Sequence, residues 1–312
     1  MEFGCVGVLD GMDRVRKVGM LFLVFGGMLF LLVGGCGRVE SKAGLDVEQQ
    51  DMEEKGTEIQ RVEKENMEKQ EMPGMMNGEY DIDVNGVTLH YQVEGEGKPI
   101  LLGHPNSSDH TVFSEMIPKL VEAGYQVYAP DSRGQGKSSE VSEYHYDDMA
   151  EDIYCFMNEL GLEKPAYYGW SDGGIIGLLL ELNHPEAFSI MAISGANLNP
   201  EGINREDETI QWIEDEVEKG HDPLLELLFR EPDIDPESLH AIEIPVLVTA
   251  GSNDLVRTEH TRLIADSLPN SKLMIMEGYD HSDYIRNTDF NEKNDKTIMT
   301  ETLISFLNEN NY

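Results

Sequence analysis

From Tyr80 onward, apolar positions fall into short runs that alternate between a two-residue and a three-to-four-residue period. The stretch "YDIDVNGVTLHYQVEGEG" holds two β-rich runs joined by Asn85-Gly86, a pair that favours a two-residue hairpin turn. "KPILLG" is a short apolar strand running into the polar loop "HPNSS", and "VFSEMIPKLVEAGY" has helical spacing. "QVYAP" reads as a strand, followed by a glycine-rich loop, and "DDMAEDIYCFMNELG" as an amphipathic helix. "PAYYGW" and "SIMAISGAN" are strands flanking the helical run "GGIIGLLLELNHP". Later, "IPVLVTAG" and "SKLMIME" are strands separated by the helix "EHTRLIADSL", and "TIMTETLISFL" is a final helix. Strands alternating with helices of this length predict an α/β fold: a doubly wound, mainly parallel sheet opened by an antiparallel hairpin. In such sheets chemically active residues collect on loops beyond the carboxyl ends of the strands.

Residues before Tyr80 follow a different pattern. Arg14, Arg16 and Lys17 precede an almost unbroken apolar run, Val18 to Val33, that ends in Gly34-Gly35-Cys36. The run is slightly short for a membrane-spanning helix, which needs about 20 residues. This arrangement resembles a bacterial lipoprotein signal, residues 1–36, which implies cleavage before Cys36 and a lipid on that cysteine. By that resemblance the protein is expected at the cell membrane, lipid-anchored on the extracytoplasmic face. Residues 37–78 are rich in Glu, Lys, Gln and Met without sustained periodicity, as expected of a solvated acidic tether. The folded domain is expected over 79–312.

Charge narrows the partners. Sixty acidic residues against 23 basic ones give a net charge of −37, so the basic footprint that nucleic-acid binding requires is missing. Of the three cysteines no two have metal-clip spacing, and Cys155 reads as a packed helix residue.

The chemistry gathers around "YYGWSDGG". Ser171 stands between a strand and a helix, with Gly169 and Gly173 on either side, as a Gly-x-Ser-x-Gly elbow requires. A serine hydroxyl is a weak nucleophile until a base takes its proton, and the base needs an acid to fix its tautomer. His281 follows "SKLMIME", and Asp254 follows "IPVLVTAG". Ser171, Asp254 and His281 thus come in serine, acid, histidine order, each on a strand-end loop. Glu277 and Asp280 remain alternative acids. The remaining histidines, His90 and His110 among them, stand in no recognisable motif.

On these residues the stretch from about 80 to 312 resembles α/β-hydrolase-fold serine hydrolases. The loop "PDSRGQGKSS" agrees with the family's Asp-x-Arg-Gly-x-Gly-x-Ser pattern through Asp131, Arg133, Gly134, Gly136 and Ser138, with Arg133 expected as an ion-pair partner. The resemblance implies an oxyanion hole built from the N–H of Asp172 and one from the loop Gly103-His104-Pro105-Asn106. Pro105 stands where the family has glycine and has no N–H. With His104 in register with the family histidine, the donor is Asn106; with a shift of one, it is lost. An insertion of about 198–242 is expected to form a short helical cap, with Trp212, Ile213, Leu224, Leu225, Leu228 and Phe229 as lining or packing residues. His104, Trp170, Asp172 and Trp212 are candidate substrate contacts. "GWSDGG" is further similar to the elbow of the valacyclovir-hydrolase-like branch, where the acid after the serine binds a substrate amino group; the alternative for Asp172 is capping of the following helix.

The expected activity is therefore cleavage of small carboxylic esters or related acyl compounds, without a metal or organic cofactor. Carbon–carbon hydrolysis, lactone opening and acyl transfer use the same triad, and a non-catalytic binding lipoprotein is the remaining alternative.

Overall fold

The computed structural model describes residues 76–220, 222–283, 285 and 298–312. The lipoprotein-like signal with Cys36 and the tether up to Met75 lie outside the described residues. Eight strands form one sheet: β1 (Gly78–Val84), β2 (Val87–Glu94), β3 (Lys98–Gly103), β4 (Tyr125–Pro130), β5 (Ala166–Trp170), β6 (Ile190–Ser194), β7 (Val246–Asn253) and β8 (Ser271–Asp280). Their spatial order is β1-β2-β4-β3-β5-β6-β7-β8. β1 pairs antiparallel with β2, and β2 antiparallel with β4; all other pairings are parallel. The hairpin turns at Asn85-Gly86, both with positive φ (44° and 81°), the geometry whose twist matches the flanking strands.

Helices cover both faces: α1 (Ile117–Glu122), α2 (Tyr146–Glu159), α3 (Asp172–Asn183), α4 (Glu208–Gly220), α5 (Pro223–Arg230), α6 (Thr258–Ser267) and α7 (Ile298–Glu309). Among the described residues none is long and apolar enough to cross a membrane. The two-residue period of the strands sorts the core into two layers. Leu101 and Tyr167 point to the layer of α2 and α3, whereas Ile100, Leu102 and Tyr168 point to the layer of α1 and α7. Residues of β4, β5 and β6 are buried throughout, as strands covered on both faces must be.

The expected helix over "VFSEMIPKLVEAGY" is broken. A 3-10 turn at His110–Phe113 precedes α1, which starts at Ile117 with Pro118 in its first turn. Proline lacks the N–H that an interior helix position would use, and its ring clashes with the preceding turn, so α1 begins there.

Candidate active site

Ser171 joins β5 to α3 with φ 55° and ψ −116°, a strained conformation for a residue with a side chain. The turn closes so tightly that a Cβ on Gly169 would lie 2.3 Å from the Gly173 carbonyl oxygen, and one on Gly173 2.1 Å from that of Gly103. Glycine is therefore required at both positions. The Ser171 N–H donates to the Ser194 carbonyl on β6 at 2.8 Å, and the Ser171 carbonyl accepts from Gly174 and Ile175 to open α3. The first N–H groups of α3, beginning with Asp172, have no carbonyl to pair with inside the helix.

β7 and β8 supply the other two groups. The pairing slips between Gly251 and Asn253, an irregularity that ends the ladder one residue before Asp254. The Asp254 carboxylate is fully buried and accepts a hydrogen bond from the His281 Nδ1–H at 2.6 Å. It also accepts from the N–H groups of Val256 at 3.1 Å and Gly251 at 3.2 Å. Burial pushes its pKa up, but the His281 charge and these hydrogen bonds outweigh that and hold it below the usual carboxylate value. For His281, burial works downward, and the Asp254 carboxylate more than reverses it, so the imidazole is raised. Asp280, an alternative acid in sequence, instead accepts from the N–H groups of Ser282 and Asp283 in its own turn.

Ser171 and His281 line one cavity of about 520 Å³, a volume suited to a small-molecule ligand. Among the described residues no hydrogen bond yet joins the serine hydroxyl to the imidazole. Such bonds often tighten only when substrate is bound. Trp170, Asn106, Trp212, Ile213, Leu225 and Leu228 share the wall, so α4, α5 and the loop after β3 close the space above the elbow. The Trp170 indole N–H donates to the His281 carbonyl at 2.9 Å. Trp212 is 57% exposed, at the edge of the cavity.

Other expected contacts are placed differently. His104 is buried away from the cavity: its Nδ1 donates to the Pro105 carbonyl and its Nε2 accepts from the Ser132 N–H, each at 2.8 Å, so both ring nitrogens serve the loop. The Asp172 side chain is 3% exposed. It does not cap α3; one oxygen accepts from the Tyr146 hydroxyl at 2.8 Å and the other from the Asn106 side-chain amide at 2.9 Å. Burial, only partly offset by these two donors, raises its pKa to about 6. The same Asn106 amide donates to the Leu224 carbonyl on α5 at 3.1 Å. Tyr146, on α2, was not legible as a site residue. Its only signal is the amphipathic face of its helix. Arg133 is an ion-pair partner, forked onto Asp152 at 2.7 and 2.6 Å and reaching Asp148 at 3.1 Å.

Residues 98–220 match the model of the alpha/beta hydrolase fold family. The chain has the α/β-hydrolase fold. An esterase from Exiguobacterium antarcticum superposes on this α/β-hydrolase fold with a TM-score of 0.61, over 75% of this chain and 100% of that one, at 24% identity. The likeness there is one of fold. Serine hydrolase BPHL of Mus musculus is 28% identical over 240 residues, which is 67% of this chain and 81% of that protein. Bifunctional epoxide hydrolase 2 of Sus scrofa is 30% identical over 135 residues, 42% of this chain but only 24% of that longer protein. The chain spans about a quarter of the length of the epoxide hydrolase it matches.

Proposed function

We propose that the protein is a serine hydrolase acting on small carboxylic esters or related acyl compounds. The reading rests on the His281–Asp254 contact of 2.6 Å facing the same cavity as the strained Ser171 elbow. In this reaction the Ser171 Oγ attacks the substrate carbonyl carbon while His281 Nε2 takes the hydroxyl proton. Asp254 accepts the hydrogen bond from Nδ1–H and stabilises the imidazolium. The backbone N–H groups of Asp172 and Asn106 receive the charge that develops on the carbonyl oxygen. His281 then gives its proton to the leaving alkoxide, and an acyl-serine remains. Water, deprotonated by the same imidazole, attacks the acyl carbon and releases the acid and free Ser171.

In this reading the Asp172 carboxylate takes no part in recognising substrate. It is buried, and each oxygen accepts a hydrogen bond from the protein. The resemblance of the elbow to the valacyclovir-hydrolase-like branch therefore does not extend to binding a substrate amino group. Trp170 and Trp212 contact the acyl compound. The lipoprotein-like front end adds an anchor at Cys36 on the extracytoplasmic face of the cell membrane, which loss of lipid labelling in Cys36→Ala tests.

A fluorophosphonate probe tests the nucleophile. Covalent labelling of the wild type and its loss in Ser171→Ala are expected. An unlabelled wild type overturns the proposal and leaves a binding module. A panel of short-chain esters then ranks the acyl group.

A further inference from the structure

Away from the catalytic cavity, β1, β2 and the 3-10 turn after β3 bring together a second group of titratable side chains. Asp81 lies directly opposite His90 in the antiparallel register, and Glu79, two residues earlier, lies on the same face. His90 is 8% exposed and His110 3%, while Glu79 forms the exposed edge of the group. One ligand atom from each of Glu79, His90 and His110 lies within 4.8 Å of the other two.

The partners of the two rings give this cluster its direction. His90 Nδ1 is 2.7 Å from an Asp81 oxygen, and His110 Nδ1 is 2.7 Å from an oxygen of the buried Asp131. Ionised carboxylates only accept, so each Nδ1 carries its proton toward its aspartate. That leaves each Nε2 facing Glu79, at 3.2 Å for His90 and 4.0 Å for His110. A neutral ring would present a lone pair there, opposite a carboxylate that also has only lone pairs. A cation relieves that opposition: the Lys137 ammonium already on Glu79, a second proton on the ring, or a metal ion.

We propose that Glu79, His90 and His110 form a binding site for a divalent transition-metal ion of the zinc type. Two imidazoles and one carboxylate are a donor set that zinc accepts, with a fourth position left for water. Asp81 and Asp131 play the outer role that carboxylates play behind metal-bound histidines, fixing the tautomer and the ring orientation. Zinc ligands sit about 2.0–2.2 Å from the ion, so the group closes by a small contraction, which the exposed Glu79 side chain permits. Lys137, whose Nζ is 2.5 Å from Glu79, is the competing cation. The bound ion would pin the edge strand β1 to the turn after β3. The ligands come from three separated segments, so the site has no spacing motif.

The test is calorimetric titration of ZnCl2 into the chelator-treated full chain. One saturable site per chain is expected. Glu79→Gln and His90→Gln should abolish it. Asp81→Asn should weaken it by about 10- to 100-fold, the usual effect of removing an outer carboxylate. Lys137→Met should tighten it, and Ser171→Ala should leave it unchanged. Ca2+ and Mg2+, which prefer oxygen ligands, should not compete at equal concentration. No saturable zinc binding by the wild type overturns the proposal. So does binding of wild-type strength in both Glu79→Gln, at an exposed position, and His90→Gln.

Discussion

The Asp172 carboxylate accepts a hydrogen bond from the side-chain amide of Asn106 at 2.9 Å, so the first residue of α3 and the loop after β3 are fastened to each other. The bond sets the loop after β3 against the start of α3 without help from the neighbouring Pro105. Its cost is a carboxylate held in a buried place.

That cost depends on pH. The folded state binds the Asp172 proton more tightly than the unfolded chain does, with a pKa of about 6 against 3.8. The Asp172 contribution to stability is therefore greatest below the unfolded value and is lost as pH rises through about 6, by roughly 3 kcal/mol in all. Asp172→Asn removes the charge and should raise the urea midpoint at pH 8, with little change at pH 4. An equal shift at both pH values contradicts the cause given.

The proposed base predicts an acid limb. His281 must be neutral to take the serine proton, and its pKa is raised above the ordinary 6.5. Ester hydrolysis should then increase with pH through a midpoint above 6.5, read from kcat/KM. A midpoint below 6.5 would show that the Asp254 charge does not dominate.

Replacing Asp254 with Asn keeps the shape and removes the charge. kcat should fall by about 10^4-fold, because the imidazole loses the partner that fixes its tautomer. The acid limb should also move to lower pH. A hundredfold or smaller loss in stopped-flow or steady-state assays would argue that another acid serves His281.

Much of this site was legible because its parts follow strands. Ser171, Asp254 and His281 each come at the end of an apolar run, and parallel sheets collect such ends on one edge. The Asp172–Tyr146 contact was not legible, since it pairs a helix start with a residue 26 positions earlier on another helix. His90 and His110 looked contextless for the same reason: only the β1–β2 register sets Glu79 and Asp81 beside His90. The place of His104 in the loop allows either a substrate contact or a loop-packing role, and its nitrogens, facing the Pro105 carbonyl and the Ser132 N–H, serve the loop. The helix expected after "HPNSS" failed at Pro118, where local chemistry overrode the apolar spacing.

Backbone proximity sets the next expectation. Gly173→Ala places a Cβ 2.1 Å from the Gly103 carbonyl oxygen, a backbone atom that cannot rotate away. Destabilisation of about 2–3 kcal/mol is expected from denaturant unfolding, together with loss of probe labelling at Ser171. Wild-type stability would mean that β3 and α3 approach less closely.

Substrate preference follows from the occupied carboxylate. Aminoacyl and plain acyl esters of the same alcohol should be hydrolysed with kcat/KM values within a few-fold of each other. A preference of a hundredfold or more for the aminoacyl ester would place the Asp172 carboxylate in contact with substrate.

The chain has two tryptophans, Trp170 and Trp212, and both stand in the wall of this one cavity. Its indole emission therefore originates at the site alone, from one sheltered ring beside the base and one ring largely in water. By the proposed function, ligand entry should dry Trp212 and shift its emission to the blue, while the Trp170 indole stays bonded to the carbonyl of His281. The protein carries its own optical gauge of occupancy, readable without a label.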